Sequence, residues 1–279
     1  MRLLFFLGTV GLFIFSTCSL AVTTYPFKWG SSEINGVTYD KAFMLVPIKS
    51  KDGRFLQLDT GSPDSYVYGQ DVPVTFSVSP LQGEPLVHQF EPMKEMMADN
   101  VVGTLGNDAF KDQCLAIDFP NQQFTAAKCE ALPSTNHVQW LESSRYKTGH
   151  LTVKVNVGEK VFNHVVVDTG SSMFGLLLTK ANWQSVVAKK DVEKPPYEIV
   201  IRAWGQDVKL GGANLIHPVC LESVCVDKPA YMYLTHDPGL GKVGLDGILG
   251  NALFYDSYIL VLDFVNDRVG LVKSPVIPS

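Results

Sequence analysis

Two short acidic motifs contain the residues of this chain whose types and spacing could do chemistry. The tetrapeptide Asp-Thr-Gly-Ser occurs at residues 59–62 and again at residues 168–171. If Asp59 and Asp168 lay within a few ångströms of each other, both carboxyls could not ionise cheaply, so one would keep a proton. The charged carboxyl could take a proton from water while the protonated one donated to a substrate carbonyl. This pair is therefore a candidate for general acid–base hydrolysis of an amide bond.

The residues that follow each aspartate suit such a pair. Thr60 and Thr169 carry hydroxyls that can hydrogen-bond across to the backbone of the opposite loop. Gly61 and Gly170 have no side chain, so their backbone amides can approach the carboxylates. These four residues are predicted to support the active loops.

The serines complete each motif, and one alternative stays open for both copies. Ser62 and Ser171 can donate hydrogen bonds to the outer carboxylate oxygens. In the alternative, each Asp-Thr-Gly only forms an Asx-type turn after a strand and was inherited twice through duplication.

The chain contains an internal repeat, in which one unit occurs twice. Three blocks recur in the same order, and the second pair of blocks is identical at five of eight positions. The pairs are Phe55–Ser62 with Val165–Ser172, Gly103–Phe110 with Gly247–Phe254, and Leu115–Asn121 with Leu260–Asn266. A duplicated unit packed about a pseudo-two-fold axis brings its equivalent loops together. The repeat therefore predicts that the two aspartates face each other.

The elements that must position these motifs are mainly strands. Alternating or β-branched residues predict strands at Ala42–Ile48 and Leu151–Val157. Helical patterns are few and short, at 91–99 and 179–189, and Gly211-Gly212 is predicted to be a turn. We predict an all-β fold with two pseudo-symmetric lobes and a cleft between them.

Three segments are predicted along the chain: a signal peptide at 1–21, an N-terminal lobe at 22–140 and a C-terminal lobe at 141–279. The polar, turn-rich stretch 133–144 is the predicted joint. Arg2, the apolar run at 3–15 and Ser19-Leu20-Ala21 are typical of an export signal, and an uncleaved anchor is the alternative. We expect a secreted or periplasmic protein with no stable membrane span after the signal is removed.

Four cysteines remain after the predicted signal: Cys114, Cys129, Cys220 and Cys225. An even number in an exported protein favours two disulfides. Three pairings are possible, and sequence proximity favours the first with the second and the third with the fourth. Four reduced thiols are the alternative.

The paired motifs, the Gly-x-Leu-Gly blocks and their order resemble the pepsin-type (clan AA) aspartic proteases, in a compact two-lobe form with retropepsin-like features. The resemblance covers residues 40–273. It implies that Asp59 and Asp168 are the catalytic pair and that Thr60 and Thr169 interlock beneath them. It also implies an exported aspartic endopeptidase whose partner is a peptide or protein substrate.

The resemblance is incomplete in the segment expected to form the flap, the hairpin that covers the cleft in this family. The candidate, at 74–90, contains no tyrosine, so His88 or Phe76 could cover substrate instead. A short flap motivates a second hypothesis, in which the chain is a weak or inactive pepsin-like module that binds a protein or peptide in its cleft.

Composition and motifs argue against other functions. A net charge of −5 with no basic run makes nucleic-acid binding a poor expectation. The scattered histidines and the absence of nucleotide-binding or serine-hydrolase motifs predict neither a metal nor a cofactor. We expect a monomer.

Overall fold

The computed structural model describes residue 22 and residues 24–48, 53–68, 89–90, 100–132, 137–203, 206–226, 231–234 and 240–274. These residues form strands with a few short helices, so the predicted all-β class is confirmed. In chain order, the strands are β1 (Thr24–Pro26), β2 (Lys28–Ile34), β3 (Val37–Pro47), β4 (Phe55–Leu58), β5 (Tyr66–Tyr68), β6 (Gln89–Phe90), β7 (Val101–Leu105), β8 (Cys114–Asp118), β9 (Gln123–Ala127), β10 (Gln139–Trp140), β11 (Ser143–Arg145), β12 (Leu151–Val157), β13 (Lys160–Asp168), β14 (Leu176–Leu178), β15 (Tyr197–Ala203), β16 (Gln206–Ala213), β17 (Val219–Leu221), β18 (Val224–Val226), β19 (Tyr231–Leu234), β20 (Gly247–Gly250), β21 (Tyr258–Asp263) and β22 (Arg268–Lys273).

The helices of the described residues are short. The α-helices are α1 (Lys180–Gln184), α2 (Lys189–Glu193) and α3 (Leu240–Val243), and the 3₁₀ turns are Asn107–Phe110, Cys129–Ala131 and Asn251–Leu253. The single helix predicted at 179–189 is interrupted because Val187 forms an isolated β-bridge with Leu215. The helix predicted at 91–99 lies outside the described residues.

Three sheets organise the strands. One has the order β2-β3-β4-β7-β5-β6, and a larger one has the order β15-β16-β19-β14-β20-β13-β12-β17-β18, with β11 paired to β12. The third sheet, β1-β9-β8-β21-β22-β10, combines strands from both copies of the repeat. In this sheet, β8 pairs with its counterpart β21, so equivalent strands join the two copies.

The two copies repeat the same strand pairing around their acidic motifs. In the first copy, β4 pairs in parallel with β7, which pairs antiparallel with β5, and β5 pairs in parallel with β6. In the second copy, β13, β20, β14 and β19 repeat this sequence of parallel, antiparallel and parallel pairs. The duplication read from the sequence is therefore present in the backbone.

The strands next to each acidic motif are buried. Leu58 and Leu105 in the first copy are fully buried, and Val167 and Leu249 in the second copy are nearly so. All four belong to one hydrophobic cluster that includes residues of both copies. Because burial of a Leu or Val side chain stabilises a fold by about 1.5–3 kcal/mol, these neighbours hold the loops firmly from below.

One predicted turn is wrong, and the predicted joint stays a prediction. The predicted joint at 133–144 contains, in its described part, β10 and the start of β11, and β10 pairs with β22. Gly211-Gly212 is not a turn, because both glycines lie inside β16, between β15 and β19. The division into lobes at residue 140 stays a prediction, since that position falls within the shared sheet.

Two disulfides join the four cysteines, and both pairs are those that sequence proximity favoured. Cys114 is bonded to Cys129, and Cys220 is bonded to Cys225. The second bridge links the adjacent strands β17 and β18. Among the described residues, no helix is long and apolar enough to cross a membrane.

Candidate active site

Each acidic motif begins where a buried strand ends. The Asp59 amide donates to the carbonyl of Leu105 at 3.0 Å, which ties the first loop to β7. Asp168 is the last residue of β13 and lies opposite Gly250 of β20. The two Gly-x-Leu-Gly blocks therefore act as the parallel neighbours that fix where each aspartate leaves its strand.

The structure places the two loops against each other. A Cβ atom built on Gly61 would lie 2.5 Å from Oδ1 of Asp168, and a Cβ atom built on Gly170 would lie 2.5 Å from Cγ of Asp59. Each carboxyl thus packs directly on the glycine of the opposite motif. A side chain at either glycine would displace the opposite carboxyl or its loop, because non-bonded carbons approach one another only to about 3.5 Å.

The threonines connect the loops beneath the carboxyls. The Thr60 hydroxyl donates to the carbonyl of Val167 at 2.9 Å and accepts from the Thr169 amide at 3.1 Å. In the symmetric arrangement, the Thr169 hydroxyl donates to the carbonyl of Leu58 at 3.0 Å and accepts from the Thr60 amide at 2.9 Å. Both threonines are buried, so these four hydrogen bonds lock the relative position of the loops.

The two carboxyls differ in their surroundings. Asp59 and Asp168 are hydrogen-bonded to each other. Burial and the neighbouring Asp168 charge raise the pKa of Asp59 well above its ordinary 3.8, against the amides of Gly61 and Ser62. Burial also raises the pKa of Asp168, but its hydrogen bond with Asp59 opposes this shift.

Further groups oppose the rise in the pKa of Asp168. The amides of Gly170 and Ser171 donate to its Oδ1 at 2.8 and 3.2 Å, and the charge of His150 acts in the same direction. Burial therefore raises the pKa of both carboxyls, and more groups oppose this rise at Asp168 than at Asp59.

The Ser62 hydroxyl does not act as the sequence predicted. The Ser62 hydroxyl donates to the carbonyl of Asp64 at 2.6 Å, and its backbone amide interacts with Asp59 instead. Ser171 likewise contacts Asp168 through its backbone amide. At each motif, two consecutive backbone amides interact with the carboxyl of the motif's own aspartate.

Two asparagines of the repeated blocks also hold the loops, and neither was predicted from the sequence. Asn107 donates to the carbonyl of Thr60 at 2.9 Å, and Asn251 donates to the carbonyl of Thr169 at 2.8 Å. Both are buried. Their signal was present in the sequence, because each asparagine follows the Gly-x-Leu-Gly of its own copy.

Two other missed residues contact the glycine carbonyls of the motifs. Nε2 of His150 lies 2.9 Å from the carbonyl oxygen of Gly61. On the opposite side, Nε2 of Gln57 lies 3.4 Å from the carbonyl oxygen of Gly170. Gln57 lies in the first repeated block but has Val166 at the equivalent position of the second copy, and His150 lies outside the repeated blocks, so the repeat does not select either residue.

An open cavity of about 230 Å³ is lined by no residue of either motif. Its lining includes Met173, two residues beyond the second motif, together with Tyr39, Asp40, Lys41 and Tyr255. The flap candidates His88 and Phe76 lie outside the described residues.

No family model and no curated protein matches the chain at a significant level. Solved structures do match. Conglutin gamma, a unique basic 7S globulin from lupine seeds, has a TM-score of 0.51 at 11% identity, with 91% of this chain and 95% of that chain covered. The basic 7S globulin from soybean has a TM-score of 0.48 at 8% identity, covering 91% and 97%. A retropepsin-like aspartic protease from Rickettsia conorii has a TM-score of 0.33 at 17% identity, covering 50% of this chain and 94% of that chain.

At 11% identity, the likeness to conglutin gamma shows the fold and not the function. The chain has the pepsin-like β fold that its repeated motifs predicted.

Proposed function

We propose that the chain is an exported aspartic endopeptidase that hydrolyses peptide bonds with Asp59 and Asp168. The observation that carries this proposal is the mutual packing of the two motifs, in which each carboxyl lies against the glycine of the other loop. A pair of Asx turns with no catalytic role would not need to bury two hydrogen-bonded carboxyls together, because doing so raises the pKa of both.

The different surroundings of the two carboxyls support different roles for them in the proposed reaction. Asp168, as the carboxylate, takes a proton from a water molecule as the water oxygen attacks the peptide carbonyl carbon. Asp59 donates its proton to the carbonyl oxygen, which gives a neutral tetrahedral diol. Asp168 then donates its new proton to the amide nitrogen, while Asp59 takes a proton back from a hydroxyl of the diol. The C–N bond breaks, a carboxylic acid and an amine are released, and both carboxyls return to their starting states. No covalent enzyme intermediate forms.

One atom of the site fits the role of proton carrier. Oδ1 of Asp59 is buried, and no N–H or O–H group in the described part of the chain donates to it. A carboxylate oxygen that is buried without a donor is costly, whereas a protonated carboxyl can itself donate. We assign the shared proton to Asp59, in a hydrogen bond to Asp168.

Substrate binding and location are inferred from the surroundings of the pair. The cavity beside Met173 offers room for a substrate side chain, and the substrate is expected to be an extended peptide. The two disulfides suit an oxidising compartment, which supports export to the periplasm or the cell exterior.

Digestion of a peptide library, read by mass spectrometry, tests the proposal. The full chain is expected to cleave peptides at acid pH, and Asp59→Asn and Asp168→Asn should each abolish cleavage while keeping the fold. Asp64→Asn is the matched control, because this aspartate lies two residues beyond the first motif and contacts Ser62 through its backbone carbonyl, which the substitution keeps. Peptide retention without cleavage would instead support the binding module, and full activity in either variant would refute the assignment.

A further inference from the structure

The carbonyl group of each motif glycine is held by a side chain from the other copy of the repeat. Gln57, in β4, approaches the Gly170 carbonyl oxygen, and His150, just before β12, approaches that of Gly61. The two side chains come from different positions of the repeat and differ in chemistry. One of the two side chains is a neutral amide, and the other is an imidazole that can carry a charge.

The His150 ring is fixed at both nitrogens. Since a carbonyl oxygen only accepts, Nε2 must carry the hydrogen that bonds Gly61. Nδ1 lies 2.8 Å from the hydroxyl of Thr148, which can donate to a neutral ring or accept from a charged one. The backbone carbonyl of His150 accepts from the Tyr146 amide at 2.8 Å. Both forms of the ring therefore fit the same geometry.

The peptide group that His150 holds is in contact with both carboxyls. The amides of Gly61 and Ser62 interact with Asp59, and the Gly61 α-carbon lies against Asp168. A shift of this peptide group would therefore move an amide that interacts with Asp59 and the Gly61 α-carbon that packs against Asp168.

We propose that His150 is a positioning residue for the hydrolysis, which fixes the Gly61 peptide and, when charged, stabilises Asp168 as the carboxylate of the pair. This inference rests on the proposed function. Burial raises the pKa of Asp168, while its hydrogen bond with Asp59, the amides of Gly170 and Ser171 and the charge of His150 lower it. The positive charge of His150 favours the carboxylate, so it extends the active form to lower pH.

Two substitutions separate the two parts of the role. His150→Gln keeps an N–H donor for Gly61 but removes the charge, and His150→Leu removes both. His137→Gln is the matched control, because His137 is an exposed histidine. The assay is kcat and KM from pH 3 to pH 8 with a fluorogenic peptide selected from the library digest, with thermal unfolding of each variant alongside.

For His150→Gln we expect kcat at the optimum within about threefold of the wild type and an acid limb moved up by about 0.5–1 pH unit. For His150→Leu we expect kcat to fall about 10- to 100-fold with little change in KM, because the Gly61 peptide loses its donor. A purely structural histidine would lower the unfolding temperature without moving the acid limb. An acid limb that is unmoved in His150→Gln overturns the charge role, and an unchanged kcat in His150→Leu overturns the positioning role.

A second measurement does not depend on turnover, so it tests the role of His150 separately from the proposed hydrolysis. With ¹³Cγ-labelled aspartate, the NMR resonance of Asp168 is identified by its loss in Asp168→Asn. We expect this resonance to titrate at higher pH in His150→Gln than in the wild type and in His137→Gln. Identical titrations would refute the role of His150 even in an active enzyme. A shift in a chain that cleaves no peptide would uphold the electrostatic coupling and refute the proposed hydrolysis instead.

Discussion

Replacement of Gly170 by alanine tests the contact between the two motifs directly, because it adds one carbon atom and removes no chemical group. The new Cβ would lie 2.5 Å from Cγ and 2.6 Å from Oδ1 of Asp59. Ordinary carbon contacts begin near 3.5 Å, so the carboxyl or the loop must move by about 1 Å. The threonine hydrogen bonds oppose movement of the loop.

The size of the effect follows from this displacement. A misplacement of about 1 Å in a catalytic group lowers the rate by about 100-fold. Over-packing of a tight site costs about 1–3 kcal/mol, which for a chain of this size corresponds to about 2–12 °C in Tm. We therefore expect Gly170→Ala to fold with a lowered Tm and to lose at least about 99% of its kcat/KM toward the selected fluorogenic peptide.

Gly36→Ala is the matched control for this substitution. Gly36 has a φ of +75°, and a Cβ atom there meets nothing within 4 Å. Alanine at this position costs about 1–2 kcal/mol through its backbone conformation and leaves the pair untouched. If Gly170→Ala kept the kcat/KM of the wild type, the reasoning that each glycine makes room for the opposite carboxyl would be wrong.

Three further predictions concern the framework of the site. Thr169→Val should lower the unfolding free energy by about 2–5 kcal/mol, because it leaves the Thr60 amide and the Leu58 carbonyl without the Thr169 hydroxyl as a partner. Thr169→Ser keeps the hydroxyl and should recover most of this loss, as measured by urea denaturation. The Cys114–Cys129 bridge closes a loop of 15 residues. A double alanine substitution that removes it should lower the unfolding free energy by about 3 kcal/mol, and an equal Tm in the variant and the wild type would contradict this. Burial raises the pKa of Asp59 in the folded protein. The contribution of its protonated form to the unfolding free energy is therefore fully present below pH 3.8 and is lost as the pH rises through the folded pKa. The unfolding free energy of Asp59→Asn should therefore rise relative to that of the wild type between pH 4 and pH 7. If the difference in unfolding free energy between the two proteins stays constant across this range, the pKa of Asp59 is not raised.

The parts of the fold that repeat could be predicted from the sequence. The Asp-Thr-Gly and Gly-x-Leu-Gly blocks each occur twice, and two equivalent loops of a duplicated unit must be related by its pseudo-symmetry. The strand predicted at Leu151–Val157 matches β12, because its β-branched residues and short length admit few alternatives.

The parts that depend on tertiary contact could not be predicted. Gly211-Gly212 has the composition of a turn, but strands on both sides pair with it and hold it extended in β16. The approach of His150 to Gly61 spans 89 residues and leaves no periodic trace in the sequence. The Ser62 hydroxyl has a nearer acceptor in the carbonyl of Asp64, which motif chemistry alone does not reveal.

The central claim is that Asp59 and Asp168 hold one proton between them. Potentiometric titration of the folded wild type against the double variant Asp59→Asn/Asp168→Asn measures the protons bound by the pair. We predict a plateau of about one retained proton at pH values where an isolated aspartate, with a pKa near 3.9, is fully ionised. A difference that falls from two protons to none in a single step near pH 4 would contradict the claim.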